Sequence, residues 1–176
     1  MHVAPEIIAL LIAVIAAVAD VRRGIIPNWL TLPWLVAAPL LHFALFGAQA
    51  ALWSVVGILV CAVVPLILRS ASTDAMGGGD LKLFAAFGGL LGPGLGLEVQ
   101  LASMLVLALY ALGVLAFRGK LLRTLSNTLL IAVNLVRPQA KRRVVEPELL
   151  TSMRMGAAIL TALVLVVAQR HVGLWP

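Results

Sequence analysis

Apolar residues come in long blocks along this chain, and the charged residues collect between them. Residues 3–21 are almost wholly apolar, and nineteen residues at helical rise reach roughly 28 Å, enough to cross a bilayer core. Further apolar blocks occupy 29–46, 50–68, 81–97, 99–117 and 155–168. The block at 81–97 is interrupted by Gly88, Gly89, Gly92, Pro93, Gly94 and Gly96. This pattern predicts a short or broken helix packed against protein, because unpaired backbone is costly in lipid. Residues 118–154 differ in kind. Arg123, Asn127, Asn134, Arg137 and Lys141 fall near one face of a helix whose other face is Leu, Ile and Val. The spacing predicts an amphipathic helix over 121–137, lying on the membrane surface. The chain is thus expected to be an all-α polytopic membrane protein. It has six transmembrane helices plus a cytoplasmic amphipathic helix, in one domain spanning 1–176.

Charge gives these blocks a direction. No Lys or Arg precedes the first block, whereas Arg22 and Arg23 follow it at once. That order is the reverse of a secretory signal peptide and places the N-terminus outside. With six alternating spans the cytoplasmic segments are 20–28, 69–82 and 118–154, which hold all 13 Lys and Arg except Arg170. The positive-inside rule demands this asymmetry. A seventh span would move the basic cluster Lys141-Arg142-Arg143 to the outside. Composition agrees: 62% of residues are hydrophobic, 11% are charged, and the mean hydropathy is +1.11. The net charge of +6 is read as membrane-side anchoring, with no nucleic-acid partner. A single cysteine, Cys61, excludes an intrachain disulfide framework, and His2, His42 and His171 lack ligand spacing. No metal site is expected.

Seven acids remain as candidate chemistry: Glu6, Asp20, Asp74, Asp80, Glu98, Glu146 and Glu148. Asp20 closes the first apolar block and Asp80 opens the fourth, so alternating spans bring both to the cytoplasmic face. Ionisable groups at membrane depth are functional hypotheses by default. Two carboxylates holding one proton between them can hydrolyse a peptide through a shared water. By the dipoles of their own helices, Asp80 at a helix start is the expected base and Asp20 at a helix end the acid. Gly77-Gly78-Gly79 ahead of Asp80 suits close backbone approach. Asp74, in Ser72-Thr73-Asp74, reads as a solvated turn, as do Glu146 and Glu148, while Glu6 and Glu98 fall on the outer side. Lys82 either tunes Asp80 or anchors its helix. Arg22 and Arg23 read as topology anchors, and Pro27-Asn28 as the turn into the second span.

Together, Asp20-Val21-Arg22-Arg23-Gly24-Ile25-Ile26-Pro27-Asn28 and Gly77-Gly78-Gly79-Asp80-Leu81-Lys82-Leu83 resemble the type IV prepilin peptidases. These are GxGD-type aspartic proteases of the prokaryotic cytoplasmic membrane. The resemblance implies catalytic Asp20 and Asp80, with a site shaped by Gly77, Gly78, Gly79, Lys82, Arg23, Pro27 and Asn28. It implies no cofactor. It also implies a prepilin substrate with a basic cytoplasmic leader ahead of an apolar helix, cut at that junction near the inner face. Larger members carry a cytoplasmic insert with paired Cys-x-x-Cys and methylate the new N-terminus. This chain has neither the insert nor the cysteines, and looks like the small peptidase-only class that processes Flp (tight-adherence) pilins. Partners implied are prepilin, lipid and the pilus assembly machinery; the residues give no oligomeric state. The family's last helix often opens with prolines, and Met153-Arg154-Met155-Gly156-Ala157-Ala158 has none. Three other readings stand beside this one: an intramembrane protease of the presenilin type, a small proton-coupled carrier relaying protons through the two acids, and a non-enzymatic assembly subunit.

Overall fold

A computed structural model describes residues 3–71, 77–117 and 155–172. The expected surface helix at 121–137, the basic cluster at 141–143, Asp74, Glu146 and Glu148 lie outside them. The described residues form helices and no strands: α1 (Val3–Arg23), α2 (Asn28–Phe46), α3 (Ala48–Ala71), α4 (Gly78–Leu91), α5 (Pro93–Phe117) and α6 (Gly156–Val172). The chain divides into two compact units, Leu107–Met153 and the rest, Met1–Val106 with Arg154–Pro176. The second of these carries both candidate aspartates.

Four helices, α1, α2, α3 and α5, are long and apolar enough to cross a membrane. The other two are shorter than the roughly 20 residues a span needs, with 14 residues in α4 and 17 in α6. The expected break in the glycine-rich block is present and falls at Gly92. Gly92 adopts a left-handed φ of 81° and ends α4. Pro93 then opens α5, where its missing N–H and fixed φ suit a first helical position. Residues 93–97 therefore belong to α5, and Glu98 is an exposed residue within it.

α4 is the core of its unit. Every residue from Leu83 to Leu90 is buried, and α4 packs on α3, α2 and α1. A helix that is apolar all round can only be stable when buried on all sides. Glycine makes this possible. Gly57 of α3 and Gly88 of α4 meet backbone to backbone, so a Cβ on either would run into the other's carbonyl. A Cβ on Gly96 of α5 would meet Gly88 Cα at 2.9 Å. Ser54 Oγ donates to the Gly89 carbonyl at 2.7 Å, satisfying an acceptor that the end of α4 leaves free. Small residues at helix interfaces let backbones approach in this way when no hydrophobic force separates helix from lipid.

The outer faces of α2, α3 and α5 carry exposed Leu, Val and Phe, among them Leu40, Leu59 and Leu105. α1 packs along α6. The pair is tied at one end by Glu6 Oε2 and His171 Nε2, 2.8 Å apart, a contact that sequence spacing did not suggest.

Gly88→Ala should lower the thermal midpoint in detergent, with an overpacking cost of about 1–3 kcal/mol. Gly113→Ala, where no described residue lies within 4 Å of the added Cβ, should be neutral or stabilising by up to about 1 kcal/mol.

Candidate active site

Asp20 lies in the last turn of α1, where Gly24 takes a φ of 66° and donates its N–H to the Asp20 carbonyl at 2.8 Å. That left-handed glycine ends the helix and turns the chain through Ile25 and Ile26 to Pro27, the residue that caps α2. The Asp20 side chain points inward and is only 7% exposed as a residue. Its Oδ2 accepts the N–H of Gly156, the first residue of α6, at 2.7 Å. Gly156 fits because it has no side chain: a Cβ there would stand 2.8 Å from Asp20 Cβ and 3.1 Å from Ala17 Cα.

Asp80 is reached differently. Gly77 is extended, with φ −65° and ψ 142°, and caps α4. Asp80 is therefore the third helical residue, and its carboxylate accepts the Gly77 backbone N–H. This is the returning half of a capping box, in which the third side chain satisfies the N–H of the cap. Each of the three glycines has its own neighbour. A Cβ on Gly77 would meet Asp80 Oδ2 at 2.8 Å, one on Gly78 would meet Arg69 Nη1 at 2.6 Å, and one on Gly79 would meet Ile26 Cβ at 2.9 Å. The run thus lets Asp80 fold back on its own cap, Arg69 lie against α4, and the α1–α2 turn press on the helix start.

The two aspartates come within electrostatic reach of each other. Asp80 precedes the apolar run of α4 and lies outside the four long spans. Its carboxyl is raised from 3.8 to about 6, first by burial and then by the charge of Asp20, while the Gly77 N–H opposes the rise. The expectation drawn from each residue's own helix dipole considers α1 and α4 alone, whereas the positive N-terminal end of α6 also faces Asp20.

The other expected site residues take supporting positions. Lys82 Nζ donates to Asn28 Oδ1 at 2.8 Å, so Lys82 anchors the start of α2 to α4. Pro27 is the half-buried cap of α2, and Arg23, like Arg22, is exposed at the end of α1. Sequence reasoning did not single out Gly156, Arg69 or Ile26. Arg69 could have been suspected from its place in the last turn of α3. Gly156 carries no local signal, because its partner lies 136 residues away. Among the described residues no cluster of His, Cys, Asp and Glu could hold a metal ion.

Two comparisons bear on this arrangement. The model of the type IV leader peptidase family matches residues 7–112, which contain both aspartates. The chain is similar to a protein of Bacillus subtilis (strain 168) described as "Prepilin leader peptidase/N-methyltransferase", with 34% identity over 115 residues. That similarity covers 60% of this chain and 42% of the relative, so the chain spans well under half of that protein. No solved structure matches.

Replacing Asp20 by Asn removes the charge beside Asp80, and the Asp80 carboxyl should then titrate below about 6. Burial, the larger cause, remains, so it should stay above 3.8. Isotope-edited infrared titration of the Asp80 carboxyl would follow the change; an unaltered midpoint would mean that the two groups do not interact.

Proposed function

The chain belongs to the type IV leader peptidase family, and on that premise we propose that it is a membrane aspartic endopeptidase. In this reading it removes the leader peptide of type IV pilin-like precursors, with Asp20 and Asp80 as the catalytic pair. The observation that carries the proposal is that buried Asp20, in the last turn of α1, and Asp80, in the first turn of α4, lie close enough for the charge of Asp20 to raise the Asp80 carboxyl. Two carboxyls in unlike surroundings can divide acid and base work at one site.

Asp20, whose carboxylate faces the positive end of α6, takes a proton from water as the water oxygen attacks the scissile carbonyl carbon. Asp80 gives its proton to the carbonyl oxygen, leaving a neutral gem-diol. Asp80, now ionised, takes a proton back from one of the new hydroxyls. Asp20, now protonated, gives its proton to the leaving amide nitrogen as the C–N bond breaks. The products are a leader ending in a carboxylic acid and a mature chain beginning with an amine. Asp20 is then ionised and Asp80 protonated, as at the start. The two aspartates share one site, so each role belongs to a microstate of the pair. Gly77, Gly78 and Gly79 let Asp80, Arg69 and Ile26 close in on the start of α4, while Lys82 and Asn28 join α4 to the start of α2 beside Pro27. Arg23 anchors the end of α1 at the membrane surface.

The finer points of the proposal rest on the sequence. The site works at the cytoplasmic face of the prokaryotic inner membrane, with the N-terminus outside, as the Lys and Arg asymmetry requires. The substrate is of the Flp type, with a basic leader ahead of an apolar helix. The similar protein of Bacillus subtilis (strain 168) is described as a methyltransferase as well. This chain has one cysteine and none of the paired cysteines of the methylating members, so the proposal is cleavage without methylation.

Co-expression with a Flp-type prepilin, in membranes lacking other prepilin peptidases, tests this. Wild type and Asp74→Asn should convert precursor to mature pilin on a gel. Asp20→Asn and Asp80→Asn should each lose activity by at least about a hundredfold at normal membrane levels. Cleavage by either of the last two would show that aspartate to be structural.

A further inference from the structure

Gly156 lies outside the segment that the family model matches, yet it makes the hydrogen bond that Asp20 Oδ2 accepts. We propose that the first amide of α6 is a positioning group for Asp20, holding its carboxylate turned toward Asp80. The proposal deepens the aspartic-peptidase reading and rests on it.

Four observations carry it. First, the contact is short, at 2.7 Å, and Asp20 is buried, so the carboxylate has an alternative to losing its hydration unpaired. Second, among the described residues the oxygen that takes the first amide of α6 comes from α1; Met155 supplies the carbonyl that starts the helix, bonded by Ile159 N–H at 2.9 Å, and its thioether is a poor capping acceptor. Third, the site demands glycine, since a Cβ at 156 would press on Asp20 Cβ, Asp20 Oδ2 and the α1 backbone at Ala17. Fourth, the register of the pair is set twice. Asp20 meets Gly156 at one end of α1, and Glu6 meets His171 at the other. Fourteen residues separate the acids on α1 and fifteen separate their partners on α6, so sliding α6 by one turn would break both contacts.

The two carboxylates are thus held in unlike ways. Asp80 takes an amide from three residues before it, Gly77, which cannot leave without unwinding α4. Asp20 takes one from another helix, so its orientation depends on how α6 is docked.

The test compares three variants of the full chain in membranes, with kcat normalised to folded protein. Gly156→Ala keeps the N–H and adds a Cβ. Gly156→Pro adds a Cβ and removes the N–H, at a first helical position where proline is otherwise tolerated. His171→Ala loosens the same helix pair from its far end. Gly156→Pro should lower kcat by about tenfold or more beyond Gly156→Ala, with KM within about twofold, as expected when binding is untouched. His171→Ala should lower the thermal midpoint and lower kcat far less than Gly156→Pro does. In the NMR spectrum of the 15N-labelled protein, the Gly156 amide proton should resonate far downfield, move upfield in Asp20→Ala, and stay in place in Asp80→Ala. Equal kcat for the alanine and proline variants, or an equal loss in His171→Ala, would reduce α6 to a structural helix and overturn the proposal. So would a Gly156 amide indifferent to Asp20→Ala. If the wild type cleaves no prepilin while the amide still responds to Asp20→Ala, the peptidase reading fails and takes the catalytic role of the contact with it, leaving only the cap.

Discussion

A carboxylate taken out of water costs several kcal/mol unless hydrogen bonds replace its hydration, and α1 ends on such a carboxylate. Asp20 cannot find donors on its own helix, because the last turn of a helix offers carbonyls and not amides. The donor comes from α6, which must be brought back along α1 with its first residue at Asp20. That requirement sets the direction of α6 and its register, and it places a glycine where any side chain would collide. Glu6 and His171 close the far end of the same pair.

The second carboxylate is delivered by packing. α4 is short, buried along its length and pressed against α3 through glycine. Its start is held by Ile26 on Gly79 and by Lys82 on Asn28. Both contacts come from the turn that follows Asp20, so the segment that ends α1 also fixes the segment that begins α4. Burial at this junction, with Asp20 nearby, is what raises Asp80 to about 6. Fold and proposed chemistry meet here: the same turn that completes the bundle brings two acids together in unlike surroundings.

Much of this was legible in the apolar blocks. The first three helices follow runs long enough to be read directly, and a break was expected in the glycine-rich block. The boundary between the fourth and fifth helices differs from the expected 97/99, because Pro93 starts the next helix. Asp20 and Asp80 were picked out by standing at the edges of apolar runs, and the charge pattern put them on one face. What could not be read was anything that depends on helix packing. Gly156 and Ile26 look like ordinary members of apolar segments until their neighbours are known. The acid and base expectation likewise rests on the dipoles of α1 and α4 alone, whereas α6 lies against Asp20 and burial raises Asp80.

The central claim is that the end of α1 and the start of α4 bring two acids to one point. Cysteines placed at 20 and 80 in a Cys61→Ala background, treated in native membranes with a bifunctional thiol reagent of short span, test it directly. The account predicts rapid cross-linking of this pair, and none for cysteines at 20 and 98, where Glu98 lies in α5 beyond the far end of α4. Cross-linking of the 20/80 pair no faster than the 20/98 pair would mean that the two aspartates do not share a site.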